Sequence, residues 1–77
     1  MAQTVTEHKL REWMQKMGPS LIHLSSQICR DRHKAEDIVQ RAFVKLWTSP
    51  PDAGEPAYAS WLRTVVRNMS RIRSVRL

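Results

Sequence analysis

Between Ala35 and Trp47 the apolar residues recur at a single spacing, and this stretch constrains the chain more than any other. Ala35, Ile38, Val39, Ala42, Phe43, Leu46 and Trp47 follow the i, i+3, i+4, i+7 pattern. At about 100° per residue they form one stripe of an amphipathic helix, which must be buried against other elements. The opposite face carries Asp37, Gln40, Arg41 and Val44. A solvated face normally has Lys or Glu at such a position, although a single exposed Val is also ordinary. With polar residues at helical spacing around it, Val44 reads as the apolar centre of a docking patch with a polar rim.

The helix has limited company, because 77 residues make one small domain that buries roughly 60% of its unfolded surface. Trp13, Trp47 and Trp61 are the large side chains expected to build that core. The net charge of +6 and the pI near 10.5 call for an acidic partner, with nucleic acid first and an anionic membrane or an acidic protein next. No stretch approaches the roughly 20 apolar residues of a membrane span, and the N-terminus lacks the apolar run of a signal peptide. A cytoplasmic protein with no membrane partner is expected. The single cysteine, Cys29, cannot close an internal disulfide and falls on an apolar helical face, where packing is its expected role.

On either side of the central stretch the pattern is also helical. Thr4-Val5-Thr6-Glu7 has the form of a capping box, followed by Leu10, Trp13, Met14 and Met17 on one side of a helix. Gly18-Pro19 interrupts it, since proline has no N–H and disfavours the helical conformation in the residue before it. Leu21, Ile22, Leu24, Ile28 and Cys29 then continue the pattern. Residues 4–17 and 19–30 are therefore either a pair of helices or one bent helix. Asp31 is the expected N-cap of a helix over 32–48. Three prolines and one glycine between Ser49 and Pro56 exclude helix and central strand there, predicting a loop over 49–56 of the length that is either functional or a stiff connector.

The last helix, predicted over 57–75, has two different faces. Tyr58, Trp61, Leu62, Val65, Val66, Met69 and Ile72 line one, and Arg63, Arg67 and Arg71 repeat at i, i+4, i+8 on the other. No acidic residue follows Glu55, whereas Arg73 and Arg76 add further positive charge. Like charges at i, i+4 destabilise a helix by a few tenths of a kcal/mol per pair, so the row opposes folding unless a partner neutralises it. The dipole at a helix C-terminus accounts for Arg73 and Arg76 but not for Arg63. A row that faces phosphate is the favoured reading, with a solvated face as the alternative. An enzyme is not expected: His8, His23 and His33 lack metal-ligand spacing, and the chain has no Gly-rich phosphate loop, nucleophile elbow or facing pair of carboxylates. No cofactor or metal is expected either.

The stretches Asp31 to Trp47 and Tyr58 to Asn68 together resemble region two of bacterial sigma factors of the extracytoplasmic-function group. The resemblance rests on Ala35-Glu36-Asp37, Val39-Gln40, Phe43 and Trp47 along one helix, then Trp61-Leu62 and Arg67-Asn68 along the next. Gly18-Pro19-Ser20-Leu21 is similar to the helix before them, so the likeness runs from about Leu10 to Arg76. It departs from the family at Arg41, where an acidic residue is commoner, and at Ile72, where a polar one is. The resemblance implies an all-α fold, a compact bundle of three to four helices, in a transcription-initiation factor. The helix face of Asp37, Gln40, Arg41 and Val44 would dock on the clamp helices in the largest subunit of core RNA polymerase. The loop and last helix would open the promoter −10 element and hold its non-template single strand, with Tyr58, Ser60, Arg63, Arg67, Asn68, Arg71 and Arg73 as the candidate DNA contacts. Tyr58 either stacks on a base or packs in the core. An anti-sigma factor is a further implied partner, and the chain is either an excised domain or a truncated relative without the −35-binding part. Two other readings stay open: a stand-alone helical DNA- or RNA-binding module, and an interaction domain whose basic helix meets an acidic protein.

Overall fold

The computed structural model describes residues 5–74, with side chains through Arg71. Three α-helices account for nearly all of it: α1 over Glu7–Cys29, α2 over Arg32–Thr48 and α3 over Tyr58–Ser74, with a short 3-10 turn over Glu55–Ala57 before α3. Each helix contacts the other two, giving a closed all-α bundle around one core.

Local chemistry sets the ends. The N-cap of α1 is Thr6, whose hydroxyl accepts from the Lys9 N–H at 3.1 Å, so the cap falls two residues after the expected Thr4, which lies outside the described residues. Val5 just before the cap and Leu10 in the first turn are both buried in the core, the staple pairing that fixes how a chain enters a helix. Gly18-Pro19 does not divide α1, and of the two alternatives the single helix is observed. Pro19 removes the N–H that would meet the Gln15 carbonyl, while Gly18 has no Cβ to meet the proline ring. Arg30 ends the helix in the left-handed region at φ 59°, its N–H donating to the Ser26 carbonyl at 2.8 Å. One residue later Asp31 caps α2, as expected, by accepting from the Lys34 N–H at 3.1 Å.

Branched aliphatic side chains and two aromatics make the core, and the three tryptophans do not. Leu21, Ile38, Leu46, Leu62 and Val66 are fully buried, joined by Met17, Val39, Ala42, Phe43 and Tyr58. Trp13 and Trp61 are half-buried at its margin, and Trp47 is 49% exposed, which corrects the expectation that all three are interior. The reason is rotational: Trp47 stands about 100° beyond Leu46, at the very edge of the α2 stripe. Cys29 is half-buried, with its thiol 3.5 Å from the Asp31 carbonyl.

The core has one polar seam. Ser25 of α1 and Ser70 of α3 are completely buried and their hydroxyls meet at 2.6 Å. Ser70 also donates to the Val66 carbonyl at 2.7 Å, which uses its only proton, so Ser25 is the donor in the pair. The pair and the contact between Trp13 and Tyr58 have the same separation along the chain, which makes α1 and α3 parallel neighbours in a fixed register.

Candidate functional site

Burial of Ala35, Ile38, Val39, Ala42, Phe43 and Leu46 turns the other side of α2 outward. Gln40, Arg41 and Val44 are exposed there, with Val44 at 55%, and Asp37 lies half-buried beside them. Asp37 and Arg41 pair at 3.1 Å across one turn, so the acidic and basic members of the expected patch partly neutralise each other. Trp47, one turn beyond Val44, extends the apolar surface, and no expectation had placed it there. Its position at the edge of the apolar stripe is the signal that could have found it.

Between α1 and α2 runs an open groove with a cavity of about 320 Å³, lined by Met14, Pro19, Ile22, Val39 and Phe43 with Glu36 and Gln40 beside them. Gln40 belongs to both the groove and the outer face. The two form one continuous surface, in which Met14, Val44 and Trp47 are the large exposed apolar side chains among the described residues.

The loop after α2 is tied down at its far end. Gly54 is buried with φ 85° and ψ −166°, a backbone conformation open to glycine alone. Its carbonyl accepts from the Ala57 N–H at 3.0 Å to make the 3-10 turn, so the loop expected over 49–56 is corrected at Glu55 and Pro56, and the helix expected from 57 begins at Tyr58. A proline near the start of such a turn gives up only an N–H that has no intrahelical acceptor. Glu55 then reaches back to α1, 3.3 Å from the Lys9 ammonium and 3.4 Å from the Trp13 indole N–H. The hydrogen bond and charge of Glu55, with a smaller contribution from Glu12, hold the Lys9 pKa above the ordinary 10.5. The Trp13 ring meets Tyr58 edge-on at 5.8 Å, and the Lys16 ammonium lies 5.6 Å above it.

On α3, Ser60, Arg63, Arg67, Asn68 and Arg71 are all exposed, and the helix itself contains no acidic residue. The Ser60 carbonyl accepts from the Thr64 hydroxyl at 3.0 Å, within α3. Tyr58 is different. It is 5% exposed and packed against Trp13, which corrects its candidacy as a stacking platform: a ring so nearly covered has no face to offer a base. The Arg73 and Ile72 side chains lie outside the described residues. Among the described residues no three His, Cys, Asp or Glu side chains are grouped to hold a metal ion, and no helix is long and apolar enough to cross a membrane.

The fold and these faces define a small helical binding domain, with one helix presenting an apolar centre and another a row of arginines. Residues 13–76 match the family model of sigma-70 region 2, and the chain belongs to that family. Region 2 is the sigma-factor domain that binds RNA polymerase and takes part in promoter melting, a task of binding and not of covalent catalysis. No curated protein and no solved structure gives a significant match.

Proposed function

We propose that this domain belongs to a sigma factor of the extracytoplasmic-function group and works in the cytoplasm by dividing its two tasks between two helices. The outer face of α2, with Asp37, Gln40, Arg41 and Val44, docks on the clamp helices of the largest polymerase subunit, and Trp47 widens that contact. The arginines of α3, with Ser60 and Asn68, hold the non-template strand of the −10 element after the loop has helped to part it. An anti-sigma factor would act by covering one of these faces.

The observation that carries this reading is Val44, 55% exposed on a helix whose other side is fully interior. An apolar side chain ringed by Asp37, Gln40 and Arg41 suits a protein partner, and an acid-free row of arginines suits a polyanion. Strand opening then needs no covalent step, because binding energy spent on extruded bases is sufficient.

A pull-down with core RNA polymerase tests the docking half. Val44→Glu should abolish capture while shifting stability by no more than about 0.5 kcal/mol, the usual range for an exposed position. Loss of the helical circular dichroism signal in that variant would show Val44 to be needed by the fold. A variant that folds and is captured as well as the parent would remove α2 from the interface. Retained DNA binding with no capture of polymerase by the parent chain would favour a stand-alone nucleic-acid module.

A further inference from the structure

The exposed flank of α1 that borders α3 has no established role, and its chemistry matches that of the arginine row. From Trp13 to Arg30 the chain contains no acidic residue. Lys16, Ser20, His23 and Gln27 stand at i, i+4, i+7 and i+11, so they share one face, and all four are exposed. Lys16 fixes which face this is, since it lies over Trp13, whose ring meets Tyr58 of α3. The α3 row approaches the same side. Ser70 points at α1 through its bond to Ser25, and Arg63 and Arg67 precede Ser70 by two turns and one turn on that flank.

We propose that this flank of α1 is a second row of phosphate contacts, which takes the DNA duplex adjoining the strand held by α3. Packed helix axes lie roughly 8–10 Å apart, so the two outward rows are separated by a distance of the order of a DNA groove, about 12 Å for the major groove and 6 Å for the minor. A single strand presents one line of phosphates and can satisfy only one row. A duplex presents two lines, and its charge density rewards both. Lys16 supplies a cation, while the Ser20 hydroxyl and the Gln27 amide supply the neutral donors that commonly position a protein on phosphate oxygens. The carboxylates nearest this row, Glu12 and Glu55, stand at its N-terminal end and pair with Lys9, and none follows on α1 between Trp13 and Cys29.

The proposal rests on the promoter-binding reading above, and the test separates the two. The intact chain is titrated by fluorescence anisotropy, over a series of salt concentrations, against a labelled −10 single strand and against the same strand joined to a duplex. Lys16→Gln should reduce the log–log salt slope on the joined substrate by about 0.9, the value for one duplex phosphate, and leave the slope on the single strand unchanged. Gln27→Glu, nearly isosteric and at an exposed position, should weaken binding to the joined substrate several-fold and spare the single strand. Unchanged binding of the joined substrate by both variants would overturn the α1 row while leaving the α3 reading intact. Equal losses on both substrates would overturn the assignment to duplex. Failure of the parent chain to bind either substrate would refute the promoter-binding reading, and this proposal with it.

Discussion

Ser25 and Ser70 illustrate how much a single hydroxyl can matter in a core this small. Ser70→Ala removes the acceptor that Ser25 needs and strands a buried donor, which should cost about 1–3 kcal/mol. Adding Ser25→Ala removes the stranded group as well, so the double variant should be no less stable than Ser70→Ala alone, and chemical denaturation of the three variants measures the coupling. Strictly additive losses would mean that the two hydroxyls do not depend on each other. The pair was not legible in the sequence, because a serine within an apolar pattern gives no sign of whether it faces a partner or water. Trp47 failed in the opposite way: its size argued for burial, but its angle around α2 decided against it. Periodicity read Val44 correctly as exposed, since the buried residues on either side of it fixed the phase of the helix.

At the scale of elements, α1 contains a flaw that its neighbours hold in place. Pro19 sits inside a continuous helix, and an interior proline costs about 3 kcal/mol or more. Pro19→Ala should therefore raise the melting temperature, and the specific sign is slower amide exchange in the turn that follows Gln15, where the missing hydrogen bond is restored. An unchanged melt would mean that the bundle already absorbs the defect. Sequence reasoning left one or two helices open here because local propensity argues for a break, whereas burial of Met17 and Leu21 on either side argues for continuity. The Glu55 contact to Lys9 makes a second prediction. The Lys9 pKa is raised in the folded state, so its contribution to stability is present below the unfolded value of 10.5 and is lost as pH rises through the folded pKa. The gap in melting temperature between the parent and Glu55→Gln should stay constant from neutral pH to about 10 and close above it, as fits a lysine that must be charged to pair. A gap that closes near pH 7 would assign the effect to another group. This contact was invisible in the sequence, because it joins residues brought together only when the turn at Gly54 folds back on α1.

For the molecule as a whole, the proposed contact with DNA is a matter of charge. Arg63, Arg67 and Arg71 are exposed on a helix without acidic residues, and if all three contact a single strand the log–log salt slope should be about −2, at roughly −0.7 each. Arg67→Gln should lower the slope by about 0.7 and weaken matched and scrambled strands alike, since phosphate contacts carry no sequence information. Asn68→Ala should instead reduce discrimination between them, with little change in slope. A slope that is the same in Arg67→Gln and the parent would turn that face of α3 away from DNA. The all-helical architecture and the polarity of each helix could be read from the sequence, because apolar spacing reports which side is buried. How α1 and α3 align could not, since that depends on contacts between distant segments. Those contacts, Trp13 with Tyr58 and Ser25 with Ser70, span 45 positions of the chain. A nascent chain that has emerged only as far as Gly54 lacks Tyr58, Leu62, Val66 and Ser70, the share of the buried interior that α3 supplies. Contacts of such long range form late and slowly compared with local helix turns. The timing of translation, more than the strength of any one helix, therefore sets when the domain first becomes competent for either partner.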